Sequence, residues 1–137
     1  MSAGGSGEPA PAEEQGSAAG IADPIVQYLL LRADLKKQFS LGALVAQGAH
    51  ASVAAIELHK DLPSTQAYLA DLPSMRKVVL AAQSAAEVER VAAALAAAAL
   101  GHRVWLEQPE AVVTALATAP YPRSVLASFF VGLKLLR

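Results

Sequence analysis

Ile25-Val26-Gln27-Tyr28-Leu29-Leu30-Leu31 is a short, apolar run rich in strand formers, and it ends in the polar stretch Arg32-Ala33-Asp34-Leu35. It carries no strict alternation and is too short to stand as a helix, so it reads as a strand buried on both faces. Pro24 marks its start. A strand with two buried faces needs helices above and below its sheet, and this places the chain in the α/β class.

The elements outward from that strand agree. Ser40 suits a helix N-cap, and good helix formers run from Leu41 to about Lys60 before Asp61 and Pro63 stop them. A short second helix is expected over Ser64–Leu72, ahead of Pro73. Lys77–Ala81 reads as another buried strand. Ser84 and Glu87 are spaced for a capping box, and the helix they open runs through an alanine block to Gly101, which is placed to end it in a left-handed conformation. Arg103–Leu106 and Val112–Thr118 read as third and fourth strands, and Pro122 as the start of a last helix ending near Leu136.

Long helical crossovers imply a mainly parallel sheet, whereas the short link Glu107–Ala111 implies an antiparallel pair. The expectation is a single domain, residues 24–137, built as a three-layer α/β/α sandwich on a mixed four-stranded sheet.

Residues 1–23 have almost no large apolar side chain, so they cannot bury enough surface to offset their ordering entropy and read as a disordered acidic Gly/Ala/Pro tail. The tail holds Glu8, Glu13, Glu14 and Asp23 and no base. The remaining 8 acids face all 11 Lys and Arg, so the body carries about +3, which permits a phosphate-bearing partner without demanding one. With no cysteine, disulfides and thiolate zinc sites are excluded. No secretory or transit pattern and no myristoylation glycine is present, and the longest apolar run, Val91–Leu100, is 10 residues. A cytoplasmic protein without a membrane segment is expected.

Ligands in open α/β sheets gather at the carboxyl ends of the strands, often where a helix N-terminus points. The first strand, the loop Arg32–Phe39 and the helix from Leu41 build such a place. Gln47 and His50 lie one turn apart on that helix and share a face. The backbone N–H groups of Leu41 to Ala43 could hold a phosphate or an oxyanion. Arg32, Lys36 and Lys37, with Arg76 and Lys77 before the second strand, form a basic rim. On spacing alone, His50 reads more readily as a satisfied, half-buried structural histidine than as a catalyst; His59 falls at the far end of the helix, and His102 in a turn. No metal-ligand spacing, nucleophile elbow, phosphate loop or dinucleotide fingerprint occurs.

Arg32-x-Asp34-Leu35, followed by Ala46-Gln47-x-Ala49-His50-Ala51, resembles the type-2 peptidyl-tRNA hydrolase family. The likeness continues through Met75-Arg76-Lys77-Val78-Val79-Leu80, Thr114-Ala115-Leu116-Ala117-Thr118-Ala119-Pro120 and Leu133-Lys134-Leu135. Gly42–Gln47 and Trp105–Glu110 look like the divergent branch of putative peptidyl-tRNA hydrolase domain-containing proteins.

The resemblance implies hydrolysis of the ester joining a peptide to tRNA, with no metal or organic cofactor, and a homodimer. Carried over, Gln47 is an orienting or oxyanion-side amide, His50 a base or a support for the helix start, and Thr114 the polar residue facing the site from the fourth strand. Arg32, Lys36, Lys37 and Lys77 become candidate contacts to the RNA backbone.

Two positions depart from the family pattern. Ala43 stands where a lysine follows the glycine, and Gln108-Pro109-Glu110 replaces an Asp-Ala-Gly-Arg-Thr loop, leaving Glu107 or Glu110 to supply a carboxylate. Losing both members of a charged pair leaves neither buried alone, so the fold is expected to survive. A non-catalytic module binding tRNA or a protein through the same cleft is the alternative, and sheet topology alone would also admit a nucleotide-binding module.

Overall fold

A computed structural model describes residues 23–137, and the tail expected over residues 1–23 lies outside them except for Asp23. The Asp23 carboxylate accepts hydrogen bonds from the Ser124 backbone N–H (3.0 Å) and from the Ser124 hydroxyl.

Strand β1 (Ile25–Arg32) is the centre of the sheet. It runs parallel to β2 (Lys77–Ala82), with Gln27 opposite Lys77 and Arg32 opposite Ala82. Its other neighbour, β4 (Val112–Thr118), is antiparallel and pairs in turn with β3 (His102–Glu107). Two strands of two residues each, β5 (Tyr121–Pro122) on β1 and β6 (Lys134–Leu135) on β2, complete a sheet of six strands rather than four. The sheet is mixed, as expected, but among the described residues only β1 and β2 run parallel. The β3–β4 hairpin is antiparallel, as its short link implies, and the returning C-terminal segment adds antiparallel neighbours that crossover reasoning does not count.

Helix α1 (Leu41–Leu58) begins as the sequence indicates, with the Ser40 hydroxyl accepting from the Ala43 N–H at 3.1 Å. That N–H is therefore already engaged. Helix α2 (Pro63–Ala70) is followed by a 3-10 turn over Leu72–Ser74, so the short helix ends earlier than expected. Helix α3 (Ala85–Ala97) opens on Ser84, which accepts from the Glu87 N–H, while the Glu87 carboxylate reaches back one residue further, to the Gln83 N–H.

The last helix is much shorter than Pro122–Leu136. Helix α4 (Arg123–Leu126) passes into a 3-10 turn over Ala127–Phe130, and Gly132 at φ 88° turns the chain onto β2. Phe130 is held by stacking on Tyr28, with ring centroids 4.5 Å apart. Adding β6 gives the open edge of β2 a partner.

Alternate residues of β1 enter two apolar clusters, as a strand with two buried faces requires. Val26, Tyr28 and Leu30 join Val88, Val91 and Leu95 of α3. Leu29 and Leu31 join Leu44, Ala51 and Ala55 of α1. Helix α1, at mean hydropathy 1.3 over 18 residues, is long and apolar enough by composition to cross a membrane, which counting uninterrupted apolar runs did not reveal. Its buried residues, from Leu44 to Ala55, are spent on the sheet.

The end of α3 corrects another expectation. Ala99, at φ 58°, takes the left-handed position, and the Leu100 N–H reaches the Leu95 carbonyl at 2.9 Å while the Ala99 N–H reaches the Ala96 carbonyl at 3.0 Å. These are the paired bonds of a Schellman cap, with alanine where glycine is usual. Gly101 is needed for a different reason: a Cβ there would stand 2.8 Å from the His59 ring. Replacing Ala99 with Gly relieves the left-handed strain and should raise unfolding stability by about 1 kcal/mol. Denaturant unfolding of the Ala99→Gly variant checks this.

Candidate functional site

Gln47 and Thr114 are 67 residues apart in sequence, yet the Thr114 hydroxyl donates to Gln47 Oε1 at 2.8 Å. Both are buried, Gln47 at 3% exposure and Thr114 at 0%. The backbone brings them together through an irregularity in β4. Trp105 pairs with Ala115 and Leu106 with Val113, so Thr114 has no residue opposite it in the ladder. Such a bulge breaks the alternation of faces. Ala115 and Ala117 lie in the α1-side cluster and Val113 packs with the α3-side cluster, while Thr114 turns toward α1 together with Ala115. Strict alternation from Ala115 would have sent Thr114 to the other face.

His50, one turn beyond Gln47, is exposed and stacks on the Trp105 indole, with centroids 4.8 Å apart and the planes inclined by 26°. The indole N–H donates to Glu107 Oε1 at 3.1 Å. Glu107 thus holds the ring under His50. Among the described residues no hydrogen bond joins His50 to Gln47, Thr114 or Glu107. Gln108 and Glu110 are exposed on the turn beyond β3. With Oε1 of Gln47 occupied, its amide N–H groups remain as donors.

Arg32 closes the carboxyl end of β1. Its guanidinium donates to the Val113 carbonyl at 3.0 Å and grips Asp34 through two bonds, of 2.6 and 3.1 Å. The hydrogen bonds from Arg32 hold the Asp34 carboxyl below its ordinary pKa. Lys36 donates to the main-chain oxygen of Arg137 at 2.7 Å, and Lys37 is exposed.

Lys77 stands in different surroundings. It is half-buried, with Nζ donating to Gln27 Oε1 at 2.6 Å and to the Tyr68 hydroxyl at 3.1 Å. Desolvation pushes its pKa down to about 8. Gln27 and Tyr68 were not singled out from the sequence; a glutamine in an otherwise apolar strand was the available signal. Trp105 was missed as well, although its spacing of two from Glu107 puts both on one side of β3. Among the described residues no cluster of three His, Asp or Glu could hold a metal ion.

Helix, bulged strand and strand end converge on one small site in an α/β domain. The model of the peptidyl-tRNA hydrolase PTH2 family matches residues 25–136, and the chain belongs to that family. Mouse (Mus musculus) and human (Homo sapiens) proteins named "Putative peptidyl-tRNA hydrolase PTRHD1" are each 42% identical to it over 116 residues, covering 82% of this chain and 83% of the relative.

Two outcomes test the site's energetics. Thr114→Val keeps the shape but leaves Gln47 Oε1 buried without a donor, and should cost about 1–3 kcal/mol in denaturant unfolding. The double variant with Gln47→Leu should cost less than the sum of the single changes. For Lys77, the unfolded side chain titrates near 10.5 and the folded one near 8, so between these values the unfolded state binds more protons. The burial cost of the charge is fully present below pH 8 and is relieved as pH rises toward 10.5, so wild-type stability should gain on that of Lys77→Met across this interval. Unfolding of both proteins over that pH range measures the gap.

Proposed function

We propose that this protein is a peptidyl-tRNA hydrolase that cleaves the ester between a peptide and tRNA, acting in the cytoplasm without metal or organic cofactor. The observation that carries the reading is the Thr114–Gln47 hydrogen bond beside the exposed imidazole of His50. The family match and the relatives' names support the substrate class. The reading places the site at one end of a three-layer sandwich, with α1 and α3 on opposite faces, and the two apolar clusters favour that arrangement.

In this mechanism His50 takes a proton from a water that attacks the ester carbonyl carbon. The bond from Thr114 fixes the Gln47 amide so that its N–H groups stabilise the oxyanion. The tetrahedral intermediate then expels the ribose oxygen, which takes the proton back from His50, leaving a free peptide acid and deacylated tRNA. Glu107 acts through Trp105 as a positioning residue for His50. Lys37, with Lys36 and Arg32 beside it, would meet the RNA backbone by charge. Lys77 was in the same expected set, but its bonds to Gln27 and Tyr68 favour a different task.

A second reading rests on Ala43 and on Arg32. No cation stands at Ala43, and Asp34 already neutralises Arg32, which favours a non-catalytic module that binds tRNA or a protein through the same cleft.

Release of deacylated tRNA from N-blocked aminoacyl-tRNA separates the two readings. The hydrolase reading expects turnover that His50→Ala lowers about a hundredfold or more, and that Ala43→Lys raises by supplying the missing cation. Bound tRNA with no release from the wild type would overturn it in favour of the binding module.

A further inference from the structure

A cavity of about 580 Å³ lies on the other side of α1 from Gln47 and His50. Its floor is formed by Leu29, Leu31 and Val79 of the sheet, and its wall by Leu44, Val45 and Val53 of α1. Helix α1 leaves this strip of β2 uncovered, so apolar side chains face an open trough. Val45 is 63% and Val53 67% exposed, and Leu41, on the same side, is 77% exposed. A volume of this size falls within the range of ordinary small-molecule sites, which combine apolar walls with a few placed polar groups.

The placed group here is Lys77. It lines the cavity at the amino ends of β1 and β2, opposite Gln27 in the register. From that level to Leu31 is four residues of strand, on the order of 13 Å. An ammonium has three donors, and two are used, on Gln27 Oε1 and on the Tyr68 hydroxyl. Those acceptors are neutral, and among the described residues no carboxylate forms an ion pair with Lys77. A half-buried cation without a counter-charge is costly and calls for an anion. Lys36 and Arg137 are the other basic residues lining the cavity, with the Lys36 ammonium bonded to the Arg137 main-chain oxygen.

We propose that the cavity binds a medium-chain fatty carboxylate, its alkyl body lying in the trough between α1 and β2 and its carboxylate accepting hydrogen bonds from the Lys77 ammonium. An alkyl chain asks nothing polar of the leucine and valine walls, whereas a peptide would bury amides for which they offer no partners. A second copy laid on the same face is less suitable. It would present its own α1, whose only acidic residue is Glu57 near the C-terminal end, and would leave Lys77 without a counter-ion.

Titration calorimetry with dodecanoate tests this, with dodecanol as the neutral control and circular dichroism to confirm folding. Dodecanoate should bind wild type at least about tenfold more tightly than dodecanol, and Lys77→Met should abolish that preference. Val45→Trp alters an exposed position that the fold does not depend on, and should block both ligands by filling the trough. Dodecanoate binding should weaken as pH rises above 8, where Lys77 loses its charge; the facing titratable group, the Tyr68 hydroxyl, is held well above its ordinary pKa by burial and stays neutral. Equal binding of acid and alcohol, no binding to folded wild type, or binding unaffected by Val45→Trp would each overturn the proposal. So would a concentration-dependent dimer that Val45→Trp breaks while dodecanoate gives no heat, since the face would then belong to a second copy. None of these outcomes depends on hydrolysis of peptidyl-tRNA.

Discussion

Gln27 sits in the central strand with no exposed surface, and its amide must be satisfied inside the protein. Its Nε2 donates to the carbonyls of Ser52 (3.2 Å) and Thr118 (2.9 Å), while its Oε1 accepts from the Ser52 hydroxyl (2.7 Å) and from Lys77 (2.6 Å). One side chain thereby ties β1 to α1, β4 and β2. A fully satisfied buried network has little freedom to slide, because any shift in register leaves polar atoms unpaired. Together with the apolar cluster beneath α1, it holds the helix in place over the sheet.

Two features divide the helix lengthwise. Toward β3 and β4 it presents Gln47 and His50 to a bulged strand and an indole, giving a polar site with one exposed imidazole. Toward β2 it presents valines and leucines to an uncovered strip of sheet with one half-buried ammonium. Ser52 is the residue of α1 that joins the Gln27 network, since its hydroxyl and carbonyl both serve Gln27. Ala43 lies at the start of α1 and Gln108 on an exposed turn, and neither position leaves a buried charge unpaired. The interior is therefore indifferent to what stands at either position.

Much of this was legible in local patterns. The doubly buried run Ile25–Leu31, the N-caps Ser40 and Ser84, and the hairpin strands around Glu107–Ala111 each rest on short-range chemistry, and each stands where the sequence indicates. Local patterns misplaced the end of α3, where Ala99 bears the left-handed turn and Gly101 instead leaves room for the His59 ring. They also overran the C-terminal helix, because strand pairing at Lys134–Leu135 and the Phe130–Tyr28 stack outweigh helix propensity there.

The amino-acid sequence by itself determined the α/β class, the order of the main elements and the pairing of Gln47 with His50 on one helical face, because these depend on periodicity and capping over a few residues. Only the tertiary structure decided that Thr114 turns toward Gln47, that Trp105 lies under His50 and that Lys77 lines an apolar cavity with no ion-pair partner among the described residues. Each of these depends on a bulge, a register or a gap between packed layers. Such features arise from contacts between segments far apart in the chain, and no local spacing encodes them.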